Sequence, residues 1–219
     1  PKLPGAVLGA GIKVTSDAQV AIQGVDFILS VIPLQSTSNI LDRVVRYFEG
    51  QPLIGCSKGL DLTTGQGGYS ILTASYPNGP IGLLTGPSFA ADIARGLPTA
   101  LTLASKDTQA VSKWQTYLSN ETLRLYVSHD PIGAEVGGAL KNVIAIACGA
   151  TIGAGLGESA RAALITRGQA EIMRYATHLG AHPETFAGLS GFGDLCLTCT
   201  SEKSRNYCYG HALGQGKDF

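Results

Sequence analysis

Between residues 25 and 128 short, continuous apolar runs alternate with amphipathic stretches, and no other feature of the sequence restricts the fold as strongly. The runs "VDFILSVIP" (25–33), "PLIGCS" (52–57), "IGLLT" (81–85), "TALTLAS" (99–105) and "LRLYVS" (123–128) have the length of strands. The first is uninterrupted until Pro33, the pattern of a strand buried on both faces. "STSNILDRVVRYFEG" (36–50) sets Ile40, Val44, Val45 and Phe48 at helical spacing behind a Ser/Thr-rich start able to cap it. Stretches near 67–76, 88–96 and 107–119 predict helices between later strands. Strand, helix, strand in repetition predicts an α/β fold with a mainly parallel sheet and helices on both faces.

After His129-Asp130-Pro131 the pattern changes: no further strand is expected, and the rest predicts helices joined by Gly-rich turns. A boundary near residue 130 divides an α/β part, 1–130, from an all-α part, 131–219.

Within the second part, "GGALKNVIAIACGATIGAG" (137–155) is nearly all small and apolar, yet carries Lys141 and Asn142. The run approaches the length of a membrane span. A central lysine costs about 2.5–3.5 kcal/mol on insertion, and the residues are Gly and Ala rather than Leu. A buried helix whose small residues at 133, 137, 145, 149 and 153 admit neighbouring backbones is the better reading, with no membrane span. It leaves the ammonium group to be explained.

Sixteen basic residues balance sixteen acidic ones in the 219, which gives no footprint for nucleic acid or an anionic membrane. The cysteines, Cys56, Cys148, Cys196, Cys199 and Cys208, are odd in number in a chain large enough to do without staples, so a reduced, intracellular setting is expected. The sequence starts at Pro1 without Met and stops at Phe219 just past a helical pattern, which reads as a piece of a longer protein and leaves N-terminal targeting open.

"VLGAGIKV" (7–14) imitates the start of a dinucleotide fingerprint, but Val14 stands where the third glycine belongs and prolines interrupt the stretch before it. It is rejected as a phosphate loop. Three other places carry polar groups at strand or helix ends. In "GCSKGL" (55–60), Lys58 follows a buried-type strand, where an α/β sheet gathers ligand contacts. In "TGPSFAADIARG" (85–96), a strand ends at Gly86-Pro87 and Ser88 is expected to open a helix, either as a plain cap or with free N–H groups for an anion. In "GLSGFGDLCLTCTSEKSRNYCYG" (188–210), a tight turn presents Asp194, and Ser204-Arg205-Asn206 is a compact donor set suited to phosphate. The same stretch offers a rival: Cys196-x-x-Cys199 with Cys208-x-x-His211 has the spacing of a small zinc site. It lacks the surroundings of a zinc knuckle, and cysteine also serves as a small core residue. No metal is expected.

Taken in order, "SKGL", "GPSFAADIARGLPTALTLAS", "GALKNVIAIACG", "ARAALITRG" and "GFGDLCLTCTSEKSRN" resemble the NAD(P)-dependent glycerol-3-phosphate dehydrogenases from about residue 25 to residue 216. The resemblance implies a Rossmann-like sheet, with 1–130 the remaining part of a dinucleotide-binding domain and 131–219 the first part of an all-α substrate domain. It implies interconversion of dihydroxyacetone phosphate and sn-glycerol 3-phosphate with NAD or NADP (as NADH or NADPH), in the cytoplasm, in glycerophospholipid synthesis. Carried over by position, Lys141 resembles the catalytic acid/base, with Lys58 and Asp194 beside it at the substrate. Gly86, Ser88, Asn142 and Thr198 resemble further substrate contacts, and Ser204, Arg205 and Asn206 the set near the phosphate. Lys58, Ala90 and Arg205 resemble cofactor contacts. The 219-residue chain alone is expected to be inactive, because the phosphate loop is missing from it. Preference between NADH and NADPH, feedback regulation and assembly stay open, a homodimer being one option. A zinc-binding interaction module, or a sister enzyme acting on another hydroxy acid, are the alternatives. A desolvated lysine also answers the puzzle of 137–155: small residues pack the helix, and an ammonium of lowered pKa faces a cleft.

Overall fold

The fold is taken from a computed structural model, which describes Leu3 and residues 5–217. After an exposed irregular segment, the elements are α1 (Ala18–Ile22), β1 (Ile28–Ser30), α2 (Leu34–Val44), β2 (Leu53–Gly55), α3 (Gly68–Ser75), β3 (Ile81–Thr85), α4 (Ala90–Ala94), β4 (Thr99–Ala104), α5 (Thr108–Leu118) and β5 (Leu123–Ser128). From there only helices follow: α6 (Pro131–Gly153), α7 (Glu158–His178), α8 (Asp194–Thr200) and α9 (Arg205–Gly214), with a 3-10 turn at Pro183–Ala187 and a π turn at Leu189–Gly193.

The strands form one five-stranded sheet in the order β1-β2-β3-β4-β5. β1, β2 and β3 are parallel, as are β4 and β5; β4 runs antiparallel to β3, with Leu84 opposite Leu103. Successive side chains leave a strand on opposite faces. Leu53 accordingly packs with Leu41, Leu72 and Leu83, whereas the adjacent Ile54 packs with Leu103, Trp114 and Leu125. β1 departs from expectation. It is an edge strand with Leu29 47% exposed, because among the described residues only β2 pairs with it.

Asp130 starts α6 as its N-cap, accepting the Gly133 N–H at 2.8 Å ahead of Pro131. Its other carboxylate oxygen accepts from His182 N (2.9 Å) and Thr185 Oγ1 (2.6 Å), tying the start of the helix to the turn after α7. α6 spans both cores: Ala134 packs with the sheet residues, and Val136, Ala145 and Cys148 pack with Ile165, Phe186, Leu195 and Cys199. Against α9 the approach is backbone to backbone. A Cβ on Gly149 would stand 2.1 Å from the Tyr207 carbonyl oxygen, and one on Gly210 2.0 Å from that of Ile146. This is the work of the small residues at the far end of α6. By length and composition α6 could cross a membrane, but 44% of its most apolar window is buried inside the fold.

Candidate active site

Lys141 lies near the middle of α6, between the two cores, and only 7% of it is exposed. Its ammonium donates to Asp194 Oδ1 and, at 2.9 Å, to Thr198 Oγ1. The Thr198 hydroxyl in turn donates to the Asp194 carbonyl oxygen at 2.6 Å. Asp194, 1% exposed, places its second oxygen 2.6 Å from Lys58 Nζ, which also donates to the Gly86 carbonyl at 2.9 Å. Each ammonium has three N–H donors and, among the described residues, uses two of them, which leaves one for a ligand oxygen.

The paired glycines before Lys141 explain how four elements converge. A Cβ on Gly137 would stand 2.6 Å from the Ser190 carbonyl oxygen, so the glycine lets the π turn that delivers Asp194 close onto α6. A Cβ on Gly138 would touch Lys58 Cγ and Cδ at an ordinary 3.5 Å and crowd Thr85 Oγ1 at 3.3 Å, so the Lys58 stem runs directly over this face of α6. Gly86 has φ +140, and a Cβ on it would press on the Leu101 backbone at 3.3 Å; only glycine turns this carbonyl toward Lys58 without strain. Lys58 and Gly86 both lie just beyond the carboxyl ends of parallel strands, β2 and β3, the edge at which open α/β sheets bind ligands.

Two cations share one carboxylate, so the cluster is net positive and suits an oxyanion. Burial, and then the nearby Lys58 charge, pull the Lys141 ammonium down from 10.5 to about 8, while Asp194 opposes the shift. A group with that pKa can give or take a proton near neutrality.

Lys58, Gly86, Lys141, Asp194 and Thr198 thus form one bonded cluster. Ser88, Ala90, Asn142, Ser204, Arg205 and Asn206 are not hydrogen-bonded to it among the described residues. Ser88 is not the helix opener: α4 begins at Ala90, and the residue before it, Phe89, has extended backbone (φ −109, ψ 132). Ser204 is buried as the N-cap of α9, accepting the Tyr207 N–H at 3.2 Å. Arg205, next to it, is exposed and has no ion-pair partner among the described residues. Lys203 ties this segment to the exposed Ala90 helix, reaching Asp92 at 2.9 Å and lying over the Phe89 ring. The segment before Asp194 is a π turn rather than a tight one, because Gly191 presses so close to Phe186 that a Cβ would stand 2.5 Å from its Cα.

Sequence reasoning did not find Glu135, although it and Lys141 are the only Asp, Glu, Lys or Arg side chains in the 23 residues of α6. That isolation was the available signal. The zinc arrangement does not assemble: Cys199 is fully buried in the helical core with Cys148, Cys208 is exposed, and no three His, Cys, Asp or Glu side chains among the described residues converge on a metal.

Residues 1–111 match the family model for the N-terminus of NAD-dependent glycerol-3-phosphate dehydrogenase, and residues 130–219 the model for its C-terminus. Among curated proteins, the glycerol-3-phosphate dehydrogenase [NAD(P)+] of Roseobacter denitrificans is 56% identical over 218 residues, 100% of this chain and 68% of that protein. The enzyme of the same name from Paracoccus denitrificans is 52% identical over 219 residues, covering 69% of its length. Among solved structures, the glycerol-3-phosphate dehydrogenase of Coxiella burnetii superposes with a TM-score of 0.92 at 36% identity, covering 99% of this chain and 66% of that one. The Saccharomyces cerevisiae enzyme gives 0.85 at 26% identity, covering 99% and 65%.

Proposed function

The chain belongs to the NAD-dependent glycerol-3-phosphate dehydrogenase family, and from that premise we propose that its Lys58–Asp194–Lys141 cluster is where dihydroxyacetone phosphate and sn-glycerol 3-phosphate are interconverted. The single observation that carries the reading is the buried Lys141 ammonium, hydrogen-bonded to Asp194 and Thr198 and lowered by burial to about 8.

The nicotinamide cofactor, NADH or NADPH, supplies the hydride. The chain's own residues handle charge and proton. Lys141 hydrogen-bonds the carbonyl oxygen and protonates it as negative charge develops there; in the reverse direction it takes the hydroxyl proton. Asp194 holds the lysine pair in place and keeps Lys141 from losing its proton too readily. Lys58, with 24% of its side chain exposed, adds a second positive neighbour and reaches the cofactor side of the crevice. Gly86, Ser88, Asn142 and Thr198 line the substrate. Arg205, exposed and unpaired, receives the substrate phosphate with Ser204 and Asn206 and also meets the cofactor, as Ala90 does; a bidentate guanidinium contact suits a phosphate.

Residues 1–130 serve as the remaining part of the dinucleotide-binding domain, and 131–219 as the first part of the substrate domain. Gly9 to Gly11, the fingerprint-like pair, is an exposed turn closed by Ile12 N–H on the Gly9 carbonyl at 3.0 Å and opens no helix. The 219-residue chain by itself is therefore expected to be inactive. A cytoplasmic protein acting in glycerophospholipid synthesis, without a membrane span, fits this reading, and a homodimer is compatible with it.

The test is absorbance of the reduced nicotinamide with the intact enzyme. Oxidation of NADH or NADPH is expected with dihydroxyacetone phosphate and not with unphosphorylated dihydroxyacetone. Equal rates with both, or none with either, would reject the assignment.

A further inference from the structure

Lys58 and Lys141 come from a loop of the sheet and from a helix, and both must reach Asp194. Glu135 lies on that same helix, upstream of Lys141. Its carboxylate leaves α6 and accepts the Tyr69 N–H, at the start of α3, at 2.6 Å. Gly67, the residue before α3, supplies no side-chain cap of its own. A Cβ on Gly67 would stand 1.9 Å from the Glu135 carboxyl carbon, so the glycine makes room for a carboxylate from another element.

The contact reaches Lys58 through the chain. Gly67 is bridged antiparallel to Leu60, and inside that closure Asp61 N–H meets the Gln66 carbonyl while Gly65 N–H meets that of Asp61, both at 2.8 Å. Residues 60–67 are thus a closed unit, and Lys58 leaves it through Gly59. Glu135 also lines, with Ser57, Lys58, Gly59 and Thr85, a small cavity with about 10 Å³ for a water-sized sphere. Thr85 Oγ1 is buried there without a hydrogen-bond partner. Desolvation raises the Glu135 carboxyl above its ordinary range, and a glutamine at this position would keep a carbonyl oxygen able to accept the Tyr69 N–H.

We propose that Glu135 is a positioning residue: its carboxylate clamps the Lys58 loop to the Lys141 helix and so holds the two ammonium groups together on Asp194. The proposal relies on the functional reading only in taking those lysines as the working pair.

A displaced Lys58 no longer depresses the Lys141 ammonium. The other titratable groups facing Lys141 are Asp194 and the Cys199 thiol, both on α8, and the clamp touches neither. The experiment follows labelling of Lys141 by a small amine-reactive reagent across pH, read by peptide mass spectrometry on the intact protein, beside kcat/KM for dihydroxyacetone phosphate. Glu135→Ala frees the loop. Gly67→Ala, allowed by φ −84, pushes the carboxylate away while leaving Glu135 in place. Both variants are expected to move the labelling midpoint up by about half a unit or more, and to lower kcat/KM about 10- to 100-fold. Glu135→Gln, which keeps the acceptor, should restore the midpoint and most of the activity. In the Glu135→Ala background Gly67→Ala should add nothing, since the two act through one contact. A wild-type midpoint in both Glu135→Ala and Gly67→Ala would overturn the clamp. A wild-type enzyme without turnover would instead reject the functional reading, and the labelling midpoints would still decide the clamp.

Discussion

Gly137 of α6 lies so close to the Ser190 carbonyl oxygen that a Cβ would stand only 2.6 Å from it. Backbone opposes backbone here, so neither side can yield by changing a rotamer. Gly137→Ala is expected to push the π turn off α6, displacing Asp194 from Lys141, and to destabilise the fold by about 1–3 kcal/mol, the usual range for overpacking. Chemical denaturation with a parallel activity assay checks it. An unchanged midpoint with full activity would mean the contact relaxes at no cost.

If Lys141 moves the proton, the reaction should show opposite pH dependences in its two directions. Its ammonium titrates at about 8 rather than 10.5 because it is buried and lies beside Lys58. Ketone reduction needs the charged form, so kcat/KM should fall as pH rises through about 8; alcohol oxidation needs the neutral amine, so kcat/KM should rise through the same window. Between about 8 and 10.5 the unfolded chain holds this proton more tightly than the folded one, so the group's contribution to stability rises with pH across that window. Initial rates in both directions, with a melt at each pH, test both statements. Rate slopes of the same sign in both directions would assign the titration to another group.

Arg205, exposed and without an ion-pair partner among the described residues, should be expendable for folding and needed for the phosphorylated substrate. Arg205→Ala should remove a charge-assisted contact of about 1.5–3 kcal/mol, roughly a tenfold to hundredfold loss in kcat/KM, with little change in melting temperature. Unaltered kinetics for dihydroxyacetone phosphate would show that the phosphate sits elsewhere.

Much of this arrangement was legible in the chain. The strands at 81–85 and 123–128 fall where their apolar runs end, and the helical remainder begins at Pro131. Lys141 was conspicuous because an ammonium among small residues has no packing reason to be there. What could not be read depends on residues distant in sequence. The direction of β4 is set by its pairing with β3, and the exposure of Leu29 by which strands lie beside it. Ser88 looked like a cap because serine often is one, but the extended Phe89 stands between it and the first residue of α4, Ala90. Glu135 was passed over because its partner, the Tyr69 N–H, belongs to another helix and leaves no mark near residue 135.

Cys196 and Cys199 are read as packing groups rather than metal ligands, and Cys199 is buried in the helical core. Cys196→Ser with Cys199→Ser should keep activity within about an order of magnitude and release no metal, with some loss of stability because Cys199 lies in a fully buried apolar site. Elemental analysis of the wild-type protein and the double variant reads the outcome. Stoichiometric zinc present in the first and lost in the second would restore the metal reading.

In the proposed reaction Lys141 moves the proton. Lys141→Ala leaves Lys58 paired with Asp194, so the buried carboxylate keeps a counter-ion, and alanine suits a helix interior. Lys141→Arg keeps the charge but cannot release a proton near neutral pH. The most direct measurement is single-turnover oxidation of the reduced nicotinamide by dihydroxyacetone phosphate in wild type and both variants, each paired with a thermal melt. A folded Lys141→Ala protein slowed by about 10²- to 10⁴-fold, with Lys141→Arg little better, is the predicted result. Near-normal transfer in a folded Lys141→Ala protein would contradict it.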